Sequence, residues 1–198
     1  QPEMVNNSLV FCAARGGHVR ELGYNWQAQS FVTGDLSLRS AHLFDNYELT
    51  DMTYTKSPLP ILWFVSTSGK LLGLTYAPEE QIAAWHQHET DGTFISCASI
   101  PEQEEDRLYV VVQRNVNGTN RYYVERMAPI EVGPDIADAF YVDSGVTFET
   151  GVPFTTITGL SHLEGEVVKV LADGVVYNKT VSSGQVVLDT PAMLAHVG

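Results

Sequence analysis

The chain has few cysteines and no long apolar run, and these shortages exclude a disulfide-held scaffold and a membrane-spanning helix. Cys12 and Cys97 are the only cysteines among 198 residues, too few for a disulfide framework. Both lie in apolar runs, which favours buried free thiols over the alternative of a single disulfide between them, because a free cysteine behaves as a small hydrophobe. No apolar stretch approaches the ~20 residues that a helix needs to cross a membrane. We therefore expect no membrane partner.

Basic residues are also scarce. The chain has 11 Lys and Arg against 24 Asp and Glu, a net charge of -13. A surface that follows nucleic-acid phosphates must be basic, so this composition argues against such a surface. With 44% hydrophobic and 18% charged residues, the composition is typical of a folded chain and not of a disordered one.

Short motifs that mark common catalytic sites are missing as well. The sequence has no G-x-S-x-G elbow, no P-loop, no G-x-G-x-x-G and no Cys-x-x-Cys. We predict no catalytic residue, no cofactor and no metal, and therefore a protein that is not an enzyme.

A histidine pair is the sharpest candidate against this prediction. His86 and His88 would face the same side of a strand, and with Glu89 or Asp91 they could hold a metal. A metal site needs three or four convergent ligands, however. The favoured interpretation is two polar side chains on the exposed face of an outer strand, with Trp85 and Gln87 pointing inward or stacking.

Acidic residues form a second candidate group. Four of them lie in a predicted loop: Glu102, Glu104, Glu105 and Asp106. A carboxylate pair could hydrolyse a glycoside, but a charge run of this kind is usually solvated. Asp135 and Asp138 lack the spacing of a calcium-binding loop.

Three tryptophans could line a sugar-binding groove: Trp26, Trp63 and Trp85. Because they are spread over three strand-like segments, packing in the core or between sheets is the favoured interpretation. We predict in particular that Trp63 and its neighbour Leu62 lie in a sheet core.

Residues 59–127 have the pattern of antiparallel hairpins. Short β-branched and aromatic runs are separated by Gly, Asp-Gly and Asn-Gly, which are turn signals. The best helix candidate elsewhere is 35–44, one or two turns with Asp35 as the N-cap.

A repeat connects two of the hairpins. The segment 9–24 resembles 61–76, which lies 52 residues later: Gly17 matches Gly69, and each segment ends in a tyrosine. A period of ~50 residues with four short strands is typical of a β-propeller blade, although a plain meander or sandwich is the alternative.

We therefore predict an all-β chain in three parts. Residues 1–128 form propeller-like β-blades of an incomplete propeller, 129–138 form a linker rich in Pro, Gly and acidic residues, and 139–198 form a small β-barrel or β-sandwich domain. Only about two and a half blades fit before the linker, whereas closed propellers have ~4–8. The rest would come from outside this sequence, which lacks an initiator Met and fits an internal fragment.

A family resemblance is carried mainly by SGKLLGLTY at 68–76. Shorter runs accompany it at 62–63, 79–81, 84–86, 90–92 and 121–127, and later at 159–166 and 171–174. Together they resemble the tail tubular, or nozzle, proteins of short-tailed phages and related prophages, over most of the chain. The matching run is a structural signature with no chemistry attached.

The resemblance implies a structural role in a virion tail, for a protein made in the bacterial cytoplasm. It implies six copies in a ring below the portal and adaptor, with neighbouring tail proteins as partners. DNA would pass through the lumen without specific binding, and an acidic lumen would repel phosphate and not trap it. The alternatives are a carbohydrate- or host-receptor-binding module and a glycan hydrolase built on a propeller.

Overall fold

A computed structural model describes residues 2–14, 17–129 and 134–198, and these residues form four antiparallel sheets. The all-β prediction is confirmed. The strands are β1 (Glu3–Val5), β2 (Ser8–Cys12), β3 (Val19–Asn25), β4 (Ser30–Asp35), β5 (Leu49–Thr55), β6 (Ile61–Ser66), β7 (Leu71–Ala77), β8 (Ile82–His88), β9 (Thr93–Glu102), β10 (Glu105–Val116), β11 (Thr119–Arg126), β12 (Val146–Thr158), β13 (Val167–Ala172), β14 (Val175–Thr180) and β15 (Gln185–Val197). Short 3-10 helices cover Leu38–Leu43, Pro78–Glu80, Ile136–Asp138 and Ser161–Leu163. Among the described residues, no helix has the length and apolarity to cross a membrane.

The chain divides into two compact units. The N-terminal unit is Gln1–Gln113 with Tyr122–Met127, and the C-terminal unit is Arg114–Arg121 with Ala128–Gly198. Of the predicted linker, residues 130–133 lie outside the described residues, and Ile136–Asp138 is a 3-10 turn. The three-part division at 128 and 139 stays a prediction.

Three sheets, whose strands lie wholly or mostly in the N-terminal unit, follow the chain as meanders. Sheet A has the order β1-β2-β3-β4, sheet B the order β5-β6-β7-β8, and sheet C the order β11-β10-β9. Their first strands are neighbours, since β1 lies next to β5 and β5 next to β9. The unit is therefore built from successive hairpins that occupy the same places in successive sheets.

The two hairpins matched by the repeat are β2–β3 and β6–β7, the second and third strands of sheets A and B. Their turns close when the Ala13 amide donates to the His18 carbonyl at 2.7 Å and the Ser66 amide donates to the Lys70 carbonyl at 3.0 Å. Gly17 (φ 63°) directly precedes His18, and Gly69 (φ 84°) directly precedes Lys70. The predicted equivalence, including the glycine positions, is confirmed in topology.

The register corrects one detail of the repeat. Val10 pairs with Glu21 in sheet A, and Trp63 pairs with Gly73 in sheet B. The offset is thus 52 residues between β3 and β7 but 53 between β2 and β6, because the turn in sheet B is one residue shorter. A constant offset of 52 matches Val10 with Leu62, but the structural counterpart of Val10 is Trp63. Leu62 lies on the other face of its sheet, because a slip of one residue exchanges the two faces of a strand.

Sheet B is buried on both faces, and its central strand β6 is buried at all six positions. One face packs against sheet A in a core that contains Val5, Val10, Val19, Phe44, Met52, Leu62, Phe64, Leu72, Leu74 and Tyr76. The other face packs against sheet C in a core of Ile61, Trp63, Val65, Leu71, Phe94, Cys97, Leu108, Val110 and Val112. The continuous apolar sequence of β6 is what a strand covered on both sides requires.

The predicted helix at 35–44 is a kinked 3-10 helix, Leu38–Leu43, and Asp35 is not its N-cap. The Asp35 carboxylate instead accepts hydrogen bonds from the Ser37 amide at 2.9 Å and the Ser37 hydroxyl at 2.8 Å, and it pairs with His18 Nδ1 at 3.0 Å. The Asp35 carboxylate is thus engaged with Ser37 and His18 at the end of β4 and does not cap the helix.

The C-terminal unit contains sheet D, with the order β12-β15-β13-β14. The long strands β12 and β15 pair from Val146 opposite Val197 to Thr158 opposite Gln185, with register shifts between Glu149 and Thr156. Its core contains Ile157, Leu160, Val168, Val170, Val181, Val186, Leu188, Ala195 and Val197. No closed barrel or propeller forms within the described ranges.

Replacing Trp63 with alanine should lower the free energy of unfolding by ~3–5 kcal/mol, through lost burial plus the cavity left behind. The ring is only 4% exposed, and its Nε1 donates to Thr55 Oγ1 at 3.0 Å. Urea denaturation measures the change. Trp26→Ala is the matched control, because Trp26 is 84% exposed and its loss should change stability by less than ~0.5 kcal/mol. Equal urea midpoints for Trp63→Ala and the wild type would mean that Trp63 does not lie in the core.

Candidate functional site

His86 and His88 lie on one side of β8, the edge strand of sheet B, as predicted. Their rings touch, with His86 Nδ1 3.1 Å from His88 Nε2, and each ring centroid lies 5.4 Å from that of Trp63. The expected exposure of this pair is wrong. Both side chains are half-buried on the face that carries Trp63, while Trp85 packs on the opposite face.

Gly73 makes room for the pair. It lies opposite His86 on β7, and a Cβ at that position would come 2.1 Å from His86 Cε1. Because Gly73 carries no side chain, the imidazole can lie over its backbone beside Trp63.

The environment of the pair favours neutral rings. Burial lowers the pKa of His86, and burial together with the charge of His86 lowers the pKa of His88. Of the two carboxylates that could complete a metal site, Glu89 pairs with Lys70 Nζ, and Asp91 lies in the exposed bend after β8. The described part of the chain holds no group of three or more His, Cys, Asp or Glu that could bind a metal ion.

The acidic residues are not one solvated loop, which corrects the prediction. Glu102 ends β9 and Glu105 begins β10, and the two pair across a tight turn at Gln103 and Glu104. Asp106 accepts hydrogen bonds from the backbone amides of Lys56 at 2.6 Å and Ser57 at 3.1 Å. This carboxylate therefore ties the loop after β5 to the start of β10.

Glu102 and Glu105 each pair with an arginine. Glu102 accepts from the Tyr109 hydroxyl and from Arg126 Nη1 at 2.9 Å, and Glu105 pairs with Arg107 Nη1 at 2.9 Å. The bond from Tyr109 and the pairing with Arg126 hold the pKa of Glu102 below its usual range. A glycosidase acid needs the opposite shift, so this arrangement suits a structural role.

Asp135 has a local structural role in the C-terminal unit. It precedes the 3-10 turn Ile136–Asp138, and its Oδ1 accepts a hydrogen bond from the Ala137 amide at 2.9 Å. Asp138 is the last residue of the same turn.

The two cysteines are free thiols, as predicted. Burial raises the pKa of Cys97 to about 12, with the carboxylates of Asp51 and Glu3 adding to the effect, and burial also raises the pKa of Cys12. Because the thiolate is the reactive form, neither side chain is poised for nucleophilic chemistry.

The three tryptophans lie in three different environments and do not form one groove. Trp63 is in the core between sheets B and C. Trp85 packs on the other face of sheet B against Phe44 and Phe64, and its Nε1 donates to the Leu36 carbonyl at 2.8 Å. Trp26 is almost fully exposed at the end of β3. The core interpretation therefore fits Trp63 and Trp85 but not Trp26.

An exposed aromatic cluster is the feature that the sequence interpretation missed. Tyr24 packs edge-to-face against Trp26, with centroids 5.8 Å apart, and against Phe31, with centroids 5.5 Å apart. Tyr24 and Phe31 are directly opposite in β3 and β4. The signal was available, because a turn at 26–29 brings these two aromatic residues together across a hairpin.

A partly buried polar contact connects sheets A and B. The Tyr76 hydroxyl donates to the Glu21 carboxylate. Burial raises the pKa of Tyr76, and the Glu21 carboxylate raises it further, so the hydroxyl keeps its proton. This contact satisfies two polar groups where the sheets meet.

Comparison with known proteins adds no assignment: no family model matches the chain, and no curated protein matches it.

Gly73→Ala should destabilise the chain by ~1–3 kcal/mol, because the new methyl group displaces the His86 ring from a packed face. Removing the ring with His86→Ala should relieve part of this cost. A double-mutant cycle measured by urea denaturation should then give a coupling of ~0.5–3 kcal/mol. Additive effects of the two substitutions would mean that His86 does not lie over Gly73.

Acidification should destabilise the protein through the half-buried histidine pair. Below the ordinary histidine pKa of about 6.5, the unfolded chain takes up protons that the half-buried rings resist, so stability falls as pH falls. The variant His86→Gln/His88→Gln should lose less free energy of unfolding than the wild type between pH ~7.5 and ~5.5.

The matched control is His42→Gln, which removes an exposed histidine outside the pair and should change the pH dependence less than the double variant does. Equal pH dependence in the wild type and the double variant would contradict the burial of the pair.

Proposed function

We propose that the chain is a structural component of a phage or prophage tail, part of the tube or nozzle that conducts DNA below the portal. The observation that carries the proposal is the burial of sheet B between sheets A and C. In this proposal the N-terminal unit is part of a β-propeller with sheets A, B and C as blades, and the C-terminal unit is the small β-barrel or sandwich that follows them.

Three features support the blade interpretation. Each sheet is a meander in chain order, the middle sheet is covered on both faces, and the first strands of successive sheets are neighbours. A single four-stranded blade covers neither of its faces, so blades are stable only when they stack. Stacked blades with adjacent inner strands are the arrangement that a propeller requires.

The resemblance to tail nozzle proteins maps onto this stack. Its longest run, 68–76, forms the turn before β7 and most of β7, and the run at 84–86 lies in β8. These residues contribute Leu72, Leu74 and Tyr76 to one core and Leu71 to the other. A signature made of core residues supports a shared scaffold and not a shared reaction.

In the proposed tail, the full protein forms a ring with other copies of itself and contacts neighbouring tail and adaptor proteins. DNA passes through the lumen without specific binding, which suits a net charge of -13. The acidic residues support this structural role. Glu102 pairs with Arg126 of another strand, Asp106 accepts from the Lys56 amide in another loop, and Glu105 pairs with Arg107 of its own strand.

A carbohydrate- or host-receptor-binding module is the second candidate, and one observation favours it. Trp26 is 84% exposed and has Tyr24 and Phe31 beside it. Exposed aromatic rings can stack on sugars because one side of a pyranose is apolar. Binding on a glycan array that Trp26→Ala abolishes would favour this candidate over the tail.

The tail proposal predicts where the polypeptide is found. Antibodies raised against this chain should label the tail of virions released by the strain that encodes it, as seen by electron microscopy. Mass spectrometry of the same virions should detect its peptides. Competition with the purified chain is the control and should remove the label. Purified virions that lack the polypeptide would refute the assignment.

A further inference from the structure

Sheet A has an apolar face that points away from sheet B. Strand pairing places Met4, Leu9 and Leu22 in one row across β1, β2 and β3, and it places Tyr24 opposite Phe31. Of these, Met4 is 61% exposed, Tyr24 49% and Phe31 69%. We call these five residues the outer face of sheet A. Exposed apolar surface of this kind marks an interaction site when it is contiguous.

The internal repeat shows what covers such a face elsewhere in the chain. Leu9, Leu22 and Tyr24 occupy the places in sheet A that Leu62, Leu74 and Tyr76 occupy in sheet B. The three residues of sheet B are at most 3% exposed, because sheet A lies on them. The occupant that fits the outer face of sheet A is therefore another antiparallel sheet.

The opposite end of the stack also exposes apolar side chains. In β11, Tyr122 is 65% exposed and Val124 is 73% exposed, whereas the alternate residues Tyr123 and Glu125 are less exposed. Alternate residues of a strand lie on opposite faces, so Tyr122 and Val124 lie on the face of sheet C that points away from sheet B. We call this face, with Tyr122 and Val124, the free face of sheet C.

We propose that the outer face of sheet A binds the free face of sheet C of a second copy of this chain. Each junction inside the N-terminal unit joins one face of a sheet to the opposite face of the next. The outer face of sheet A and the free face of sheet C are therefore the two kinds of face that meet at each junction. The contact is head-to-tail, and two copies supply six sheets, within the ~4–8 at which propellers close. The inference rests on the sheet repeat used in the proposed function and not on the tail assignment.

Ring geometry favours a sheet over a sugar as the occupant. Tyr24 meets Trp26 at 84° and Phe31 at 75° between ring planes. The three rings therefore share no common plane on which a sugar could stack, whereas the ridged surface can interdigitate with side chains of a second sheet.

Charge sets the conditions for this association. Each copy carries a net charge of -13, so copies repel one another at low salt. Screening at ~1 M salt shortens the Debye length to ~3 Å and removes most of that repulsion. We therefore expect monomers at low salt and pairs of copies at high salt.

Sedimentation equilibrium of purified chains at both salt concentrations tests the proposal. At high salt the wild type should reach the mass of two copies. Tyr24→Ser/Phe31→Ser alters the outer face of sheet A, and Val124→Glu alters the free face of sheet C. Each should weaken the association ~10-fold or more, the effect of losing an interface hot spot.

Tyr141→Ser is the matched control, because Tyr141 is 77% exposed and belongs to neither face. It should associate as the wild type does, and all variants should keep the thermal midpoint of the wild-type monomer at low salt.

Three results would overturn the proposal. A wild type that stays monomeric at high salt excludes self-association. Val124→Glu that associates as well as the wild type means that two sheet A faces meet each other. An equal loss in Tyr141→Ser means that the contact is not specific. None of these results affects virion labelling, so failure of this inference and failure of the tail assignment are distinguishable.

Discussion

The burial of β6 on both faces is the constraint on which the N-terminal unit depends. Alternate side chains of this strand belong to two different cores, one shared with sheet A and one with sheet C. Without sheet A or sheet C, one face of sheet B would be exposed to solvent, because a single meander of three or four strands covers neither of its own faces. The consequence is that sheets A, B and C are stable as a stack and not singly.

The polar features of the unit follow from the same stack. Tyr76 and Glu21 meet inside one junction, and Thr55 accepts the indole hydrogen of Trp63 beside the other. Each contact satisfies a group that burial would otherwise leave unpaired. The carboxylates of Glu102, Glu105 and Asp106 likewise bind arginines or backbone amides of the fold. Most of the residues that could carry out chemistry thus make contacts that stabilise the fold.

Much of the architecture could be predicted from the sequence because hairpin turns and apolar runs are local signals. Gly17 and Gly69, the core positions of Leu62 and Trp63, and the free thiols all follow from such signals. The exact repeat register could not, since a turn that is one residue shorter changes which residues match while leaving both strands intact. The burial of His86 and His88 could not be predicted for a related reason: the space that they occupy is created by Gly73 on the neighbouring strand. The exposed cluster of Tyr24, Trp26 and Phe31 likewise depends on strand pairing.

The three tryptophans give the protein three built-in optical reporters. Indole emission shifts with the polarity of its surroundings, so Trp26, in contact with water, emits at longer wavelength than Trp63, which is sealed between two sheets. Trp85 lies between these extremes, on the opposite face of sheet B. A soluble quencher will reach Trp26 long before it reaches Trp63. In variants that keep a single tryptophan, emission from Trp26 can therefore report on the solvation of sheet A at the end of the stack. Emission from Trp85 or Trp63 can report separately on the loosening of the two cores.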